Sequence, residues 1–190
     1  MPSIPGLTVR PVEWGDFDDI RDMYYQLYDE RAAGELVGIT LFDRRPSIPD
    51  EVTWFSAHYR HAMEGDEIYV VAEWAGHVVG SCTITRDGPG PGSEESHVGR
   101  LGILVDRNHR GKGVGTALLE SALGAARSKF DVVYLTVFSV NERALHLYRR
   151  FGFAVCGHLP AVVKRGDRYY DEEQMVLDFR PSSVRAGANR

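Results

Sequence analysis

The 190-residue chain has two cysteines, Cys82 and Cys156. That is too few for the disulfide framework of a small secreted domain, and neither stands in a C-x-x-C pair or beside a histidine at metal-ligand spacing. Both are expected to be reduced core thiols. Long apolar runs are missing too: stretches such as Ile68–Val71 and Val132–Leu135 fall far short of the ~20 residues a membrane span needs. The opening residues lack a basic segment followed by an apolar run, so a protein that is not exported, in the cytoplasm and away from membranes, is the expectation. Positive charge is also short. With 22 Lys and Arg against 27 Asp and Glu, the formal net charge is −5, the opposite of a nucleic-acid footprint and mildly attractive to cationic partners. The seven histidines are scattered, none at ligand spacing to a carboxylate, so no metal is expected.

What remains is an ordinary folded composition: 43% hydrophobic, 26% charged and 11% aromatic. The length suits one domain, expected over residues 1–180, with 181–190 a frayed, apolar-poor tail. Alternation in Leu7–Pro11 predicts a strand, and Trp14, Phe17, Ile20, Met23, Tyr24, Leu27 and Tyr28 repeat with a helix period. After a looser stretch, Ala32–Pro49, the residues Val52, Phe55, Tyr59 and Met63 mark a second helix, stopped at Gly65. Glu67–Trp74 and His77–Thr85 read as a hairpin through Ala75-Gly76, and Arg86–Ser96 as a Gly/Pro-rich loop. A strand over His97–Val105 then feeds a helix carrying Val114, Ala117, Leu118 and Ala122 through Asp106–Gly113. Val132–Val137 is a strand, Asn141 precedes a helix ended by Gly152, and Phe153–Gly157 and Tyr170–Phe179 close the chain as strands around a loop at Lys164–Arg168. The order β-α-α-β-β-β-α-β-α-β-β predicts an α/β (α+β) fold, a mixed sheet with helices on its faces.

The most informative residues are Arg110-Gly111-Lys112-Gly113-Val114-Gly115-Thr116, where a strand turns into a helix. N–H groups at a helix start lack intrahelical partners and sit at the positive end of the helix dipole, so such a turn suits a phosphate or diphosphate. Glycines there let a ligand approach the backbone, and Arg110 and Lys112 add charge. The spacing is not that of a nucleoside-triphosphate loop: Gly113 follows Lys112 where Ser or Thr is required, and Asp106 holds the first glycine's place. Nor is it a dinucleotide fingerprint, since Leu118 stands three residues after Gly115.

Arg110-Gly111-Lys112-Gly113-Val114-Gly115 does match the acyl-coenzyme A signature Arg/Gln-x-x-Gly-x-Gly/Ala. With Ile103-Leu104-Val105 before it, Asn141 and Tyr148 after the next strand, and Phe151-Gly152-Phe153 closing the segment, the chain from about Leu7 to Phe179 resembles the GNAT superfamily, the Gcn5-related N-acetyltransferases. The resemblance implies a mixed central sheet of six to seven strands, splayed at the cofactor site, with helices on both faces. It implies acetyl-CoA as co-substrate, its pyrophosphate on Gly111–Thr116 and its pantetheine arm along Ile103, Leu104 and Val105. Asn141 would contact the cofactor arm, and Tyr148 would sit near the sulfur as the acid. A homodimer paired through a late strand is a further family-level expectation.

The implied activity is direct transfer of an acetyl group to a primary amine of a small molecule or peptide; a sensor that keeps the acyl-CoA turn and has lost its chemistry is the alternative. An alkylammonium of pKa about 10.4 must first lose a proton. Ribosomal-protein-type relatives carry a glutamate five residues before the Asn, where this chain has Thr136. Glu73, Glu95, His97 or a water chain are the candidate bases. The acceptor pocket is expected at the first two helices and the loop between them, with Tyr24, Tyr25, Tyr28 and Trp54 available to cradle an ammonium. Asp16, Asp18, Asp19 and Asp22 read as a solvated helix face whose charge also attracts an amine. Asn141 is equally suited to cap the helix beginning at Glu142.

Overall fold

The computed structural model describes residues 4–35, 37–88 and 92–181. Its strands are β1 (Leu7–Pro11), β2 (Glu67–Trp74), β3 (His77–Arg86), β4 (Val98–Val105), β5 (Val132–Phe138), β6 (Ala154–Arg165) and β7 (Arg168–Asp178). The helices are α1 (Phe17–Ala32), α2 (Ile48–Glu64), α3 (Val114–Ala126) and α4 (Glu142–Arg150). The seven strands form one mostly antiparallel sheet in the order β1-β2-β3-β4-β5-β7-β6, the mixed architecture expected from the sequence. The chain divides into two units, Met1–Thr85 with Leu101–Ala125, and Arg86–Arg100 with Ala126–Arg190.

In the first unit, α2 starts where Ser47 and Asp50 form a reciprocal capping box: the Ser47 N–H donates to Asp50 Oδ2 at 3.0 Å and the Asp50 N–H donates back to Ser47 Oγ at 3.4 Å. Its inward face packs with α1 on the sheet, burying Ile20, Met23, Phe55, Tyr69, Val71 and Val78 in one cluster; each side chain of this size stabilises by about 1.5–3 kcal/mol when fully buried. β3 carries an irregularity that decides what lies on either face. Glu73 pairs with Val78 and Ala72 with Gly80, leaving Val79 as the extra residue of a bulge. A one-residue shift reverses the pleat. Val78 therefore joins the cluster under α1 and α2, whereas a Cβ on Gly80 would lie 2.9 Å from Leu118 and 3.1 Å from Val114 of α3 and 3.2 Å from the Leu104 carbonyl. Only glycine lets the first turn of α3 settle this closely on the sheet.

In the second unit, β4 and β5 pair in parallel over Val98–Arg100 and Val132–Tyr134, and β7 is sandwiched antiparallel between β5 and β6. The closing hairpin is longer than the sequence suggests: strand continues through Lys164–Arg165 and resumes at Arg168, so the expected loop shrinks to Gly166-Asp167. Pro160 interrupts the apolar pattern without ending the strand, because β6 is an edge strand and shifts register between Leu159 and Val163. Within that shift Ala161 has φ 54° and donates its N–H to Asp171 at 2.7 Å. The same edge corrects the reading of Cys156. It falls in the register shift between Val155 and Gly157 and is exposed, while Cys82 is buried as expected. Pro181 is the last described residue; the rest of the segment expected to fray, and 89–91 of the Gly/Pro-rich loop, lie outside the described residues.

Candidate active site

The turn between β4 and α3 is held from three sides. The Asp106 N–H donates to the Val79 carbonyl at 3.0 Å, and the Asp106 carboxylate accepts from the Asn108 N–H at 2.9 Å and lies 2.6 Å from His109 Nδ1. These bonds hold its carboxyl below the usual aspartate range against the opposing effect of burial. Arg107–His109 then make one 3₁₀ turn. Arg110 comes next, and its guanidinium is bound within the protein: both terminal nitrogens donate to Glu30 at 2.8 Å and Nε donates to the Val105 carbonyl at 3.0 Å. Glu30 lies on α1 and is 2% exposed. Arg110 therefore fastens the turn to α1 rather than projecting free charge, as the sequence suggested it would.

Gly111 and Gly113 take φ of 80° and 88°, the left-handed region that disfavours other residues. This double reversal delivers the chain into α3, whose first intrahelical bond runs from the Ala117 N–H to the Gly113 carbonyl at 3.0 Å. The amides of Val114, Gly115 and Thr116 thus have no carbonyl one turn back to bond. Gly111 and Lys112 are exposed. On the side where Gly113 would carry a Cβ stands Ile4, its Cδ1 2.7 Å from that point. Val114 is buried and anchors the first turn.

Beside β4, on the face covered by α1 and α2, is a cavity of about 460 Å³. Ile103, Leu104 and the side-chain-free Gly102 form its wall on β4, and Ser81 and Thr83 its wall on β3. α1 contributes Ile20 and Tyr24, α2 contributes Glu51 and Trp54, and the intervening loop adds Phe42 and Pro46. The acceptor pocket expected at the first two helices thus corresponds to a real cavity. Of the four aromatics singled out from sequence, Tyr24 and Trp54 line it. Tyr25 instead donates its hydroxyl to the Pro46 carbonyl at 2.8 Å under the Arg45 guanidinium, and Tyr28 is buried against Tyr24 and Arg31. Trp54 is braced by His58, ring to ring at 4.1 Å, and His58 in turn lies 2.8 Å from the buried carboxylate of Glu67.

The acidic run does not form a solvated face as a whole. Asp16 is 6% exposed, accepts from both terminal nitrogens of Arg10 at 2.8 and 2.9 Å and from the Glu13 N–H at 2.7 Å. Asp19 accepts the Val78 N–H at 2.8 Å, and Asp18 and Asp22 both pair with Arg21. None of the four lines the cavity. Glu73 is bound to Arg10 at 2.9 Å. Glu95 is exposed and His97 half-buried in the second unit, where the His97 carbonyl accepts the Asp131 N–H at 2.9 Å.

Asn141 and Tyr148 also belong to the second unit. Asn141 caps α4, its Oδ1 accepting the Ala144 N–H at 3.2 Å, as its position before Glu142 suggested. Tyr148 is 6% exposed and meets Phe153 edge-on at 5.8 Å.

The sequence reading missed Glu51. It is 8% exposed, lines the cavity, and among the described residues its carboxylate has no hydrogen-bond or ion-pair partner. Burial, with the charge of Asp50 second, raises its carboxyl above the ordinary value. Asp50 itself is exposed, its carboxylate held by Ser47. In the sequence Glu51 looks like any acid in a first helical turn; the signal that marks it is its place one turn before Phe55, on the buried stripe of α2.

The acetyltransferase (GNAT) family model matches residues 35–153. The L-methionine sulfoximine/L-methionine sulfone acetyltransferase of Pseudomonas paraeruginosa is 30% identical over 130 residues, covering 68% of this chain and 73% of that protein. Among solved structures, an N-acetyltransferase from Staphylococcus aureus superposes with a TM-score of 0.78 at 23% identity, over 92% of this chain and 99% of the other. A GNAT superfamily phosphinothricin acetyltransferase from Sinorhizobium meliloti, solved in complex with acetyl-CoA, gives 0.75 at 22% identity over 91% and 88%. No helix among the described residues is long and apolar enough to cross a membrane. The family match takes in the β4–α3 turn, the cavity wall on β4, Asn141 and Tyr148, and the chain belongs to the acetyltransferase (GNAT) family.

Proposed function

We propose that this protein is an acetyl-CoA-dependent N-acetyltransferase, with residues 1–180 acting as one domain that moves an acetyl group directly to a primary amine of a small molecule or peptide. The observation that carries this reading is the turn at Gly111–Gly113: two left-handed glycines on either side of Lys112 open a helix whose first-turn amides have no intrahelical carbonyl. The exposed Gly111 and Lys112 leave room for a diphosphate at the turn, and a side chain at Gly113 would run into Ile4 and force the turn to shift. In this reading the amides of Gly111, Lys112, Gly113, Val114, Gly115 and Thr116 hold the diphosphate and Lys112 adds charge. Arg110 acts through Glu30, keeping the turn in shape. The backbone of Ile103, Leu104 and Val105 takes the pantetheine arm, together with Asn141. Bound acetyl-CoA supplies an acetyl group activated as a thioester.

The protein's own residues must then manage two protons and one developing charge. The acceptor ammonium must be neutralised, since its pKa of about 10.4 leaves little free amine at neutral pH. A backbone N–H of Ile103–Val105 would stabilise the oxyanion, a contact worth roughly 3–4 kcal/mol in other enzymes. Tyr148 would return a proton to the departing thiolate; a thiol pKa near 8.5 makes that help modest. The test is thiol release from acetyl-CoA with a panel of primary amines, for the wild type and Tyr148→Phe. Turnover that falls about tenfold or more in Tyr148→Phe is expected. Tight acetyl-CoA binding with no thiol release on any amine would make the protein a sensor, and an unchanged rate in Tyr148→Phe would remove Tyr148 as the acid.

A further inference from the structure

The cavity beside β4 has a charge character that its apolar lining hides. Among the described residues that line it there is no lysine, arginine or histidine, while Asp50 and Glu51 both contribute. Arg31, whose charge is felt at Tyr24, has its guanidinium engaged elsewhere, donating to the Phe42 and Asp43 carbonyls at 2.9 Å and lying over the Tyr28 ring. Glu51, 8% exposed, stands in that wall without a partner. Its carboxylate faces the cavity and is not sealed in the core, and a charge held in so apolar a wall is costly until an opposite charge pairs with it. The hydroxyl side chains of the wall, Tyr24, Thr40, Ser81 and Thr83, add no positive charge.

An α-amino acid acceptor needs the reverse arrangement, a cation for its carboxylate. The relative named for L-methionine sulfoximine and L-methionine sulfone acts on molecules of that kind; this cavity would set their carboxylate against Glu51 and Asp50, with no cation among the described lining residues to neutralise it. Trp54 and Tyr24 supply faces for an apolar or aromatic body and for the ammonium itself.

Resting on the acetyltransferase reading above, we infer that the cavity selects primary amines carried on an apolar body without a carboxylate, and that Glu51 is both the counter-ion of the ammonium and the acceptor of its first proton. The step balances. The ammonium gives one proton to the Glu51 carboxylate, and the neutral nitrogen's lone pair forms the N–C bond. The C–S bond breaks with its electron pair going to sulfur. The second proton from nitrogen ends on the thiolate, and Glu51 releases its proton to solvent to restart.

The experiment compares 2-phenylethylamine with phenylalanine, and tryptamine with tryptophan, pairs that differ by one carboxylate. kcat/KM is read from thiol release, and amine binding is read separately by calorimetry, for the wild type, Glu51→Gln and Glu51→Asp. The expected result is a preference of at least about 100-fold for each amine over its amino acid, because like charges brought together in a buried site repel strongly. Glu51→Gln should lose about 100-fold in kcat/KM for the amines with acetyl-CoA affinity retained, and Glu51→Asp should recover part of that loss. Amino acids handled as well as the amines, or amine turnover and binding unaltered in Glu51→Gln, would overturn the inference. So would acetyl-CoA binding by a wild type that binds neither amine. A wild type that ignores acetyl-CoA overturns the transfer reading instead, and the calorimetric comparison of the pairs then still decides what the cavity prefers.

Discussion

The bond between Arg110 and Glu30 offers a way to separate gripping from shaping at the cofactor turn. If the guanidinium works by fastening the turn to α1, removing either partner should loosen the same structure; if it grips the diphosphate itself, only the arginine should matter. The two partners differ in burial, Glu30 side chain at 2% and Arg110 at 33%, and that fixes the expected magnitudes. Two unit charges about 4 Å apart attract by about 4 kcal/mol at an effective dielectric of 20. Arg110→Gln strands a carboxylate in the interior of the first unit, which costs about 3–5 kcal/mol. Glu30→Gln leaves a guanidinium that can turn to water, for a loss of about 1–3 kcal/mol in hydrogen bonds to a charged group. Denaturant unfolding of both single variants and the double variant gives these values and their coupling, and titration with acetyl-CoA gives the second readout. The expected outcome is a comparable loss of affinity, about tenfold, in both single variants. Glu30→Gln with wild-type affinity beside Arg110→Gln weakened tenfold would refute the shaping role and return the guanidinium to the diphosphate.

Glu51 makes a prediction about stability with a definite sign. Its carboxyl lies above the ordinary value of 4.5 because it is buried, with Asp50 adding to the effect, so the folded chain binds that proton more tightly than the unfolded one. Stability therefore falls as pH rises through the unfolded and then the folded pKa, and the penalty is absent below both. Scanning calorimetry should show Glu51→Gln melting above the wild type at pH 7, with the difference vanishing near pH 3; a lower Tm at pH 7 would contradict it. The two thiols should separate in a native thiol-reagent titration: Cys156 is exposed and reacts, whereas burial pushes the Cys82 thiol up to about 12 and it should react only after unfolding. Two fast thiols in the folded protein would show that Cys82 is not enclosed.

Most of the architecture was legible because its signals are local. Periodicity marked α1, α2 and α3, Ala75-Gly76 marked the hairpin, and Asn141 marked the start of α4. β6 was not, since a strand that absorbs Pro160 and a left-handed Ala161 does so only at a sheet edge, and edge position is a property of topology. The glycine turn was readable from spacing, and its partner Glu30 was not, being eighty positions away on α1. Asp16 looked solvated because it sits among acids at a helix start; Arg10, on β1, buries it. Glu51 went unread although it falls one turn before Phe55 on the buried stripe of α2; its lack of a partner among the described residues is a property of the fold, which no sequence pattern records.

The central claim is that the first-turn amides of α3, opened by Gly111 and Gly113, hold the diphosphate of acetyl-CoA. Its most direct test is calorimetric titration of acetyl-CoA into the wild type and Gly113→Val, with circular dichroism to confirm that both are folded. A valine at φ 88° is strained in a conformation that costs non-glycine residues about 1–2 kcal/mol, and its Cβ meets Ile4, so the turn that presents the amides must shift. Saturable binding by the wild type, weakened at least about tenfold in Gly113→Val, is the expected result. A folded wild type that gives no heat at millimolar acetyl-CoA, or a Gly113→Val that binds as tightly as the wild type, would contradict it.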